Sequence, residues 1–125
     1  MQNLPIWRDT QRLLVMMEEA VRRFPRYHKY ALGSDMRQQA MLISRTLLHA
    51  VNSTHPDERI QRVRQLRLAT DELKLMVQTA KEIKAFHNFV QFQQLAELVV
   101  AISKQSGAWL KKLNQRRQQP EPLAT

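Results

Sequence analysis

Apolar residues recur at steps of three and four along four separate stretches of this chain, and no stretch shows the strict alternation of a half-buried strand. That periodicity restricts the fold to packed helices more firmly than any motif does. The stretches are divided at Pro25, at the polar break 52–56 and at Asn88, and glycine occurs only at Gly33 and Gly107. Scarce glycine with abundant Leu, Arg, Gln, Met and Ala favours helix over sheet.

The spacing predicts a first helix over about 7–24, with a stripe of Trp7, Leu14, Met17, Val21 and Phe24. Pro25 ends it, because proline lacks a donor and disfavours helix in the residue before it. A second helix is predicted over about 30–51, placing Leu32, Met36, Ala40, Ile43, Leu47 and Val51 on one face. The third follows Thr54 as N-cap, with Asp57 and Glu58 complementing the dipole, and carries Val63, Leu66, Thr70, Leu73, Val77 and Ala80 toward an end near Phe86. The fourth opens at Asn88, with Gln91 three residues on in a capping-box arrangement. Its seam is Phe92, Leu95, Val99, Ile102, Ser106, Trp109 and Leu113.

Four such helices joined by short breaks predict an all-α, up-down-up-down antiparallel four-helix bundle. The 125 residues fit one domain, expected over 1–117, with a disordered tail over 118–125 that holds two prolines. Some helices carry more apolar residues than one core stripe requires: Leu13, Val15 and Met16 on the first, Leu98, Val100 and Leu110 on the fourth. A neighbouring subunit covering that surplus predicts an oligomer. A wide core face with scattered surface hydrophobes accounts for the same pattern.

Twenty Lys and Arg stand against 11 Asp and Glu, giving a net charge of +9, and thirteen of the cations are Arg. Guanidinium groups suit phosphate, so the balance points to nucleic acid or another acidic partner. In an antiparallel bundle one pole collects Arg8, Arg12, Arg59, Arg62, Arg64, Lys111, Lys112, Arg116 and Arg117 against Asp9, Asp57 and Glu58, a balance of +6. These nine are the candidate nucleic-acid contacts. A solvated surface, with Lys111 and Lys112 complementing a helix C-terminus, is the competing account. At the other pole, Arg22, Arg23, Arg26, Lys29, Lys81 and Lys84 are expected to be largely offset by Glu18, Glu19, Asp35 and Glu82. No zinc-finger spacing, RNA-binding sheet motif or helix-turn-helix signature is present, so backbone-dominated, salt-sensitive binding is expected.

The chain has no cysteine, which excludes disulfides, thiolate metal sites and a Cys nucleophile. His28, His49, His55 and His87 have no acidic residue three positions before them and no metal-ligand spacing. The adjacent pairs Glu18-Glu19 and Asp71-Glu72 point about 100° apart on a helix and do not converge. No nucleophile–base constellation or phosphate-cradling glycine loop can be named, so no enzymatic activity and no cofactor or metal is expected. The longest apolar runs are five residues, too short for a membrane span or a signal core, and a cytoplasmic location is expected.

Several short motifs, in order, resemble one family. Phe24-Pro25-Arg26 followed by Tyr30-Ala31-Leu32-Gly33 is similar to its first turn. Leu68-Ala69-Thr70-Asp71-Glu72-Leu73-Lys74 is similar to its third helix. Asn88 to Phe92 matches a polar cap followed by an aromatic, and Ile102 with Gly107-Ala108-Trp109 is similar to its final-helix ending. The family is the small four-helix-bundle proteins that include the accessory variability determinant of diversity-generating retroelements. Its relatives are encoded by intervening sequences in bacterial ribosomal RNA genes. Ser103 and Ala108 stand where the family often has glycine, and Gln105 and Ser106 are more polar than usual there. The resemblance implies a homopentamer with a basic surface that binds a reverse transcriptase and RNA or DNA and supports mutagenic complementary-DNA synthesis. The intervening-sequence branch implies instead a protein-interaction or structural bundle without a reverse transcriptase.

Overall fold

Pro5 opens the first helix of the computed structural model, which describes residues 4–118. At the first helical position proline's missing N–H is one that has no helical partner anyway, and its fixed φ suits the helix. Helix α1 (Pro5–Arg22) therefore starts two residues before Trp7 and ends two before Phe24. Its last turn tightens: Arg23 and Phe24 donate to the carbonyls of Ala20 and Val21. A single turn that the periodicity does not reveal follows as α2 (Arg26–Lys29), where the Pro25 carbonyl accepts the N–H groups of His28 and Lys29.

Helix α3 (Leu32–Asn52) begins where Gly33 lets it close on α1. A Cβ at Gly33 would lie 2.8 Å from Val21 Cγ1 and 3.1 Å from the His28 carbonyl oxygen. Helix α4 (Pro56–Glu82) is capped by His55, one residue past the Thr54 that the sequence suggests, and His55 Nδ1 accepts the Asp57 N–H at 3.3 Å. Pro56 takes the first helical position and so fixes the cap at the residue before it.

Helix α4 stops at Glu82, four residues short of Phe86. Lys84 adopts φ 59°, Ala85 donates to the Ala80 carbonyl at 2.9 Å, and Lys84 donates to Lys81 at 3.0 Å. That pair of bonds is a Schellman ending with lysine where glycine is usual. Helix α5 (Phe89–Gln118) opens as expected, the Asn88 side-chain oxygen accepting the Gln91 N–H at 2.8 Å. Only half of the capping box forms, because the buried Gln91 Oε1 has no partner. Gln118 is helical, not part of a tail. The remainder of the expected tail, 119–125, lies outside the described residues.

The four long helices form a bundle in which α1 packs on α3, α3 on α4, α4 on α5, and α5 on α1. No strand occurs among the described residues. The stripes predicted for α3, α4 and α5 are buried or half-buried throughout. The face of α1 is rotated from the predicted one. Ile6, Thr10, Leu13, Met17, Ala20 and Val21 are buried, while Trp7 and Leu14 are only half-buried. Thr10 and Ala20 mark that face, but they do not register as strongly apolar. Leu13 and Leu98 thus belong to the bundle's own core, not to a surplus, and Val15 alone of the six is exposed. Buried Thr46, Thr70 and Ser53 donate to the carbonyls four residues back, and Ser106 to the one three back. A satellite cluster of Ala50, Ile60, Val63 and Leu113 closes the end near the α3–α4 turn, with Trp109 packed against both it and the main core.

Candidate nucleic-acid interface

The turn between α3 and α4 is held by Arg59. Its Nε donates to the Ala50 carbonyl at 3.2 Å, and its Nη2 donates to Val51 at 3.5 Å and to Ser53. Those carbonyls end α3 and carry its negative dipole, so a guanidinium there satisfies acceptors that the helix leaves open. Arg59 is half-buried by this arrangement and is not available to phosphate. The nine candidate contacts therefore reduce to eight.

Two of the eight meet carboxylates. Arg117 Nε is 3.3 Å from Asp57, and Arg62 is 4.0 Å from Glu58. All four side chains are substantially exposed, and pairs of that kind contribute only about 0–1 kcal/mol. A phosphate can therefore displace either carboxylate. Arg12 lines a shallow groove between α1 and α5 alongside Asp9 and Glu97. Arg8, Arg64, Lys111, Lys112 and Arg116 are exposed, with no ion pair among the described residues.

The cations do not converge on one spot. Arg59, Arg116 and Arg117 share a groove of about 560 Å³ with His55, Pro56 and Asp57, beside the α3–α4 turn. On α1, Asp9 accepts from Gln105 at 2.7 Å, and Gln105 lies eleven residues before Arg116. At helical rise that separation is about 16 Å, so Arg8 and Arg12 sit along the flank of α5 and not at its end. The arrangement is a basic strip, suited to a chain of phosphates more than to one bound anion.

At the other end the charge balance differs from the expected one. Glu18 lies 2.9 Å from Arg37, so it does not offset the neighbouring cations. Three rings that belong to no core stripe, Tyr27, Tyr30 and Phe89, are exposed there. Their signal in the sequence is the i, i+3 tyrosine pair set among Arg26 and Lys29 and outside every apolar stripe.

No described helix is long and apolar enough to cross a membrane. No group of three or more metal-ligating side chains occurs among the described residues. A Cβ at Gly107 would meet only the Arg67 guanidinium, at 3.7 Å. No protein-family model matches the chain, and no curated protein matches it.

Proposed function

We propose that this bundle is a non-enzymatic, oligomeric accessory protein that holds RNA or DNA along its basic strip and presents it to a polymerase. The family resemblance makes that polymerase a retroelement reverse transcriptase and the assembly a homopentamer in the cytoplasm. The observation that carries the nucleic-acid reading is the set Arg8, Arg64, Lys111, Lys112 and Arg116, exposed and without ion-pair partners among the described residues.

An up-down-up-down course sets these residues on neighbouring helices. The pairings support it: Gln39 meets Ala69 while Ala50 meets Arg59, and Ser103 meets Asp71 while Asp57 meets Arg117. Contacts advance on one helix as they retreat on the next. Leu68 and Leu75 on α4, with Met41 and Leu42 on α3, are exposed and supply apolar area for self-association or for a docked enzyme. That apolar area equally favours a second reading, a protein-interaction module without a reverse transcriptase. Light scattering reads the oligomer, and absorbance at the nucleobase maximum in the purified protein separates the two readings.

Anisotropy of a labelled single-stranded RNA, titrated at several salt concentrations, tests the leading reading. Five phosphate contacts give a slope of about −3.5 in log K against log salt, so a fourfold rise in salt weakens binding about a hundredfold. The variant Arg64→Glu/Lys111→Glu/Lys112→Glu should lose most of that affinity and melt normally. Salt-independent binding, or an unaltered affinity in the variant, overturns the proposal.

A further inference from the structure

The end of the molecule opposite the α3–α4 turn carries exposed aromatic rings among cations. Phe24, at the end of α1, touches Phe86 edge-on at 5.2 Å between centroids. Phe86 is 5.7 Å from Phe92, and Phe92 is 5.6 Å from Phe89. This chain of contacts fixes the start of α5 and the segment after α4 against the end of α1. Helix α2 begins two residues after Phe24, so Tyr27 within it and Tyr30 just after it share that end. Tyr27 is 83% exposed, Tyr30 69% and Phe89 62%.

Arg22, Arg23, Arg26, Lys29, Lys81 and Lys84 lie at this end, against Glu19, Asp35 and Glu82, a balance of +3. None of the six is in an ion pair among the described residues. Lys29 Nζ lies over one face of the Tyr30 ring, 5.9 Å from its centre, so a base would stack on the opposite face with the ammonium close by. Protein–protein interface cores are depleted in lysine. Rings that stack bases, with cations in reach of the linking phosphates, are how single strands are held without sequence preference.

We infer that this end is a second, separate nucleic-acid site, a stacking platform for unpaired bases on Tyr27, Tyr30 and Phe89. Duplex bases have no free faces to offer it, so it selects single strands, whereas the basic strip on the other side takes phosphates of either form. The inference rests on the nucleic-acid reading above and assigns it a distinct surface.

Two tyrosine variants and two ligands test it: Tyr27→Ala/Tyr30→Ala and Tyr27→Phe/Tyr30→Phe, with labelled single-stranded RNA and a duplex of the same length. The alanine pair should weaken single-strand binding about tenfold for each base unstacked, and leave duplex affinity unchanged. The phenylalanine pair should bind as the native protein does, since the ring and not the hydroxyl stacks. An alanine pair that binds single strands normally, or loses both ligands equally, overturns this site while the basic strip stands. Loss of a bound polypeptide with RNA binding intact makes the patch a protein-docking surface and overturns it too. Native protein that binds neither ligand defeats both this site and the proposed function.

Discussion

Replacing Arg59 with Met separates a structural cation from a ligand-binding one. Methionine keeps most of the aliphatic stem, so the packing over the α3–α4 turn survives while the donors to Ala50, Val51 and Ser53 are lost. Each hydrogen bond from a charged group contributes about 1.5–3 kcal/mol when its acceptor is shielded. Asn52 and Thr54 beside these carbonyls are exposed, so water takes over part of the bonding. The expected loss is thus about 2 kcal/mol in total, one such bond's worth and not three. Unfolding entropy of about 2.1 cal/mol/K per residue makes 1 kcal/mol worth about 4 °C in a chain of 125 residues, so Tm should fall by about 8 °C. Circular-dichroism melting reads this directly. In the RNA titration the same variant should keep the native salt slope, whereas each lost phosphate contact lowers its magnitude by about 0.7. A variant that melts like the native protein and shows a reduced slope would refute the capping assignment and return Arg59 to the phosphate contacts.

The two glycines should respond to alanine with opposite signs. Gly33→Ala forces a Cβ against the stiff Val21 side chain and the His28 carbonyl and should destabilise by about 1–3 kcal/mol. Gly107→Ala meets only the movable Arg67 side chain at ordinary contact distance and should gain about 0.5–1 kcal/mol from helix propensity. Equal Tm shifts in the two variants would contradict the packing described at Gly33. Lys84→Gly relieves a side chain held at positive φ and should raise stability by about 0.5–1 kcal/mol in a denaturant titration; a loss would show that lysine is not strained there.

Helices α3, α4 and α5 were legible from their residues because large apolar side chains at regular steps dominate their stripes, with only Ala40, Thr70, Ala80 and Ser106 as small or polar members. Helix α1 was less so. Its buried line passes through Thr10 and Ala20, and the large residues Trp7 and Leu14 beside that line drew the predicted face to one side. The Asn88 cap followed from local chemistry, since its partner Gln91 is three residues away. The end of α4 did not, because nothing about a lysine announces a left-handed turn.

Of the candidate interface, the sequence supplied the cations and their excess. Which of them are free to bind depends on groups that the fold brings near. Arg59 is withdrawn by carbonyls across a turn, Glu18 by Arg37 on another helix, and Asp57 reaches Arg117 from sixty residues away. The exposed tyrosines are likewise a tertiary outcome, since only packing determines which rings the core leaves uncovered. Helical periodicity and capping act over three or four neighbours and are written in the chain by itself. The availability of a charge or a ring at the surface depends on distant residues competing for it, and the tertiary structure alone decides that competition.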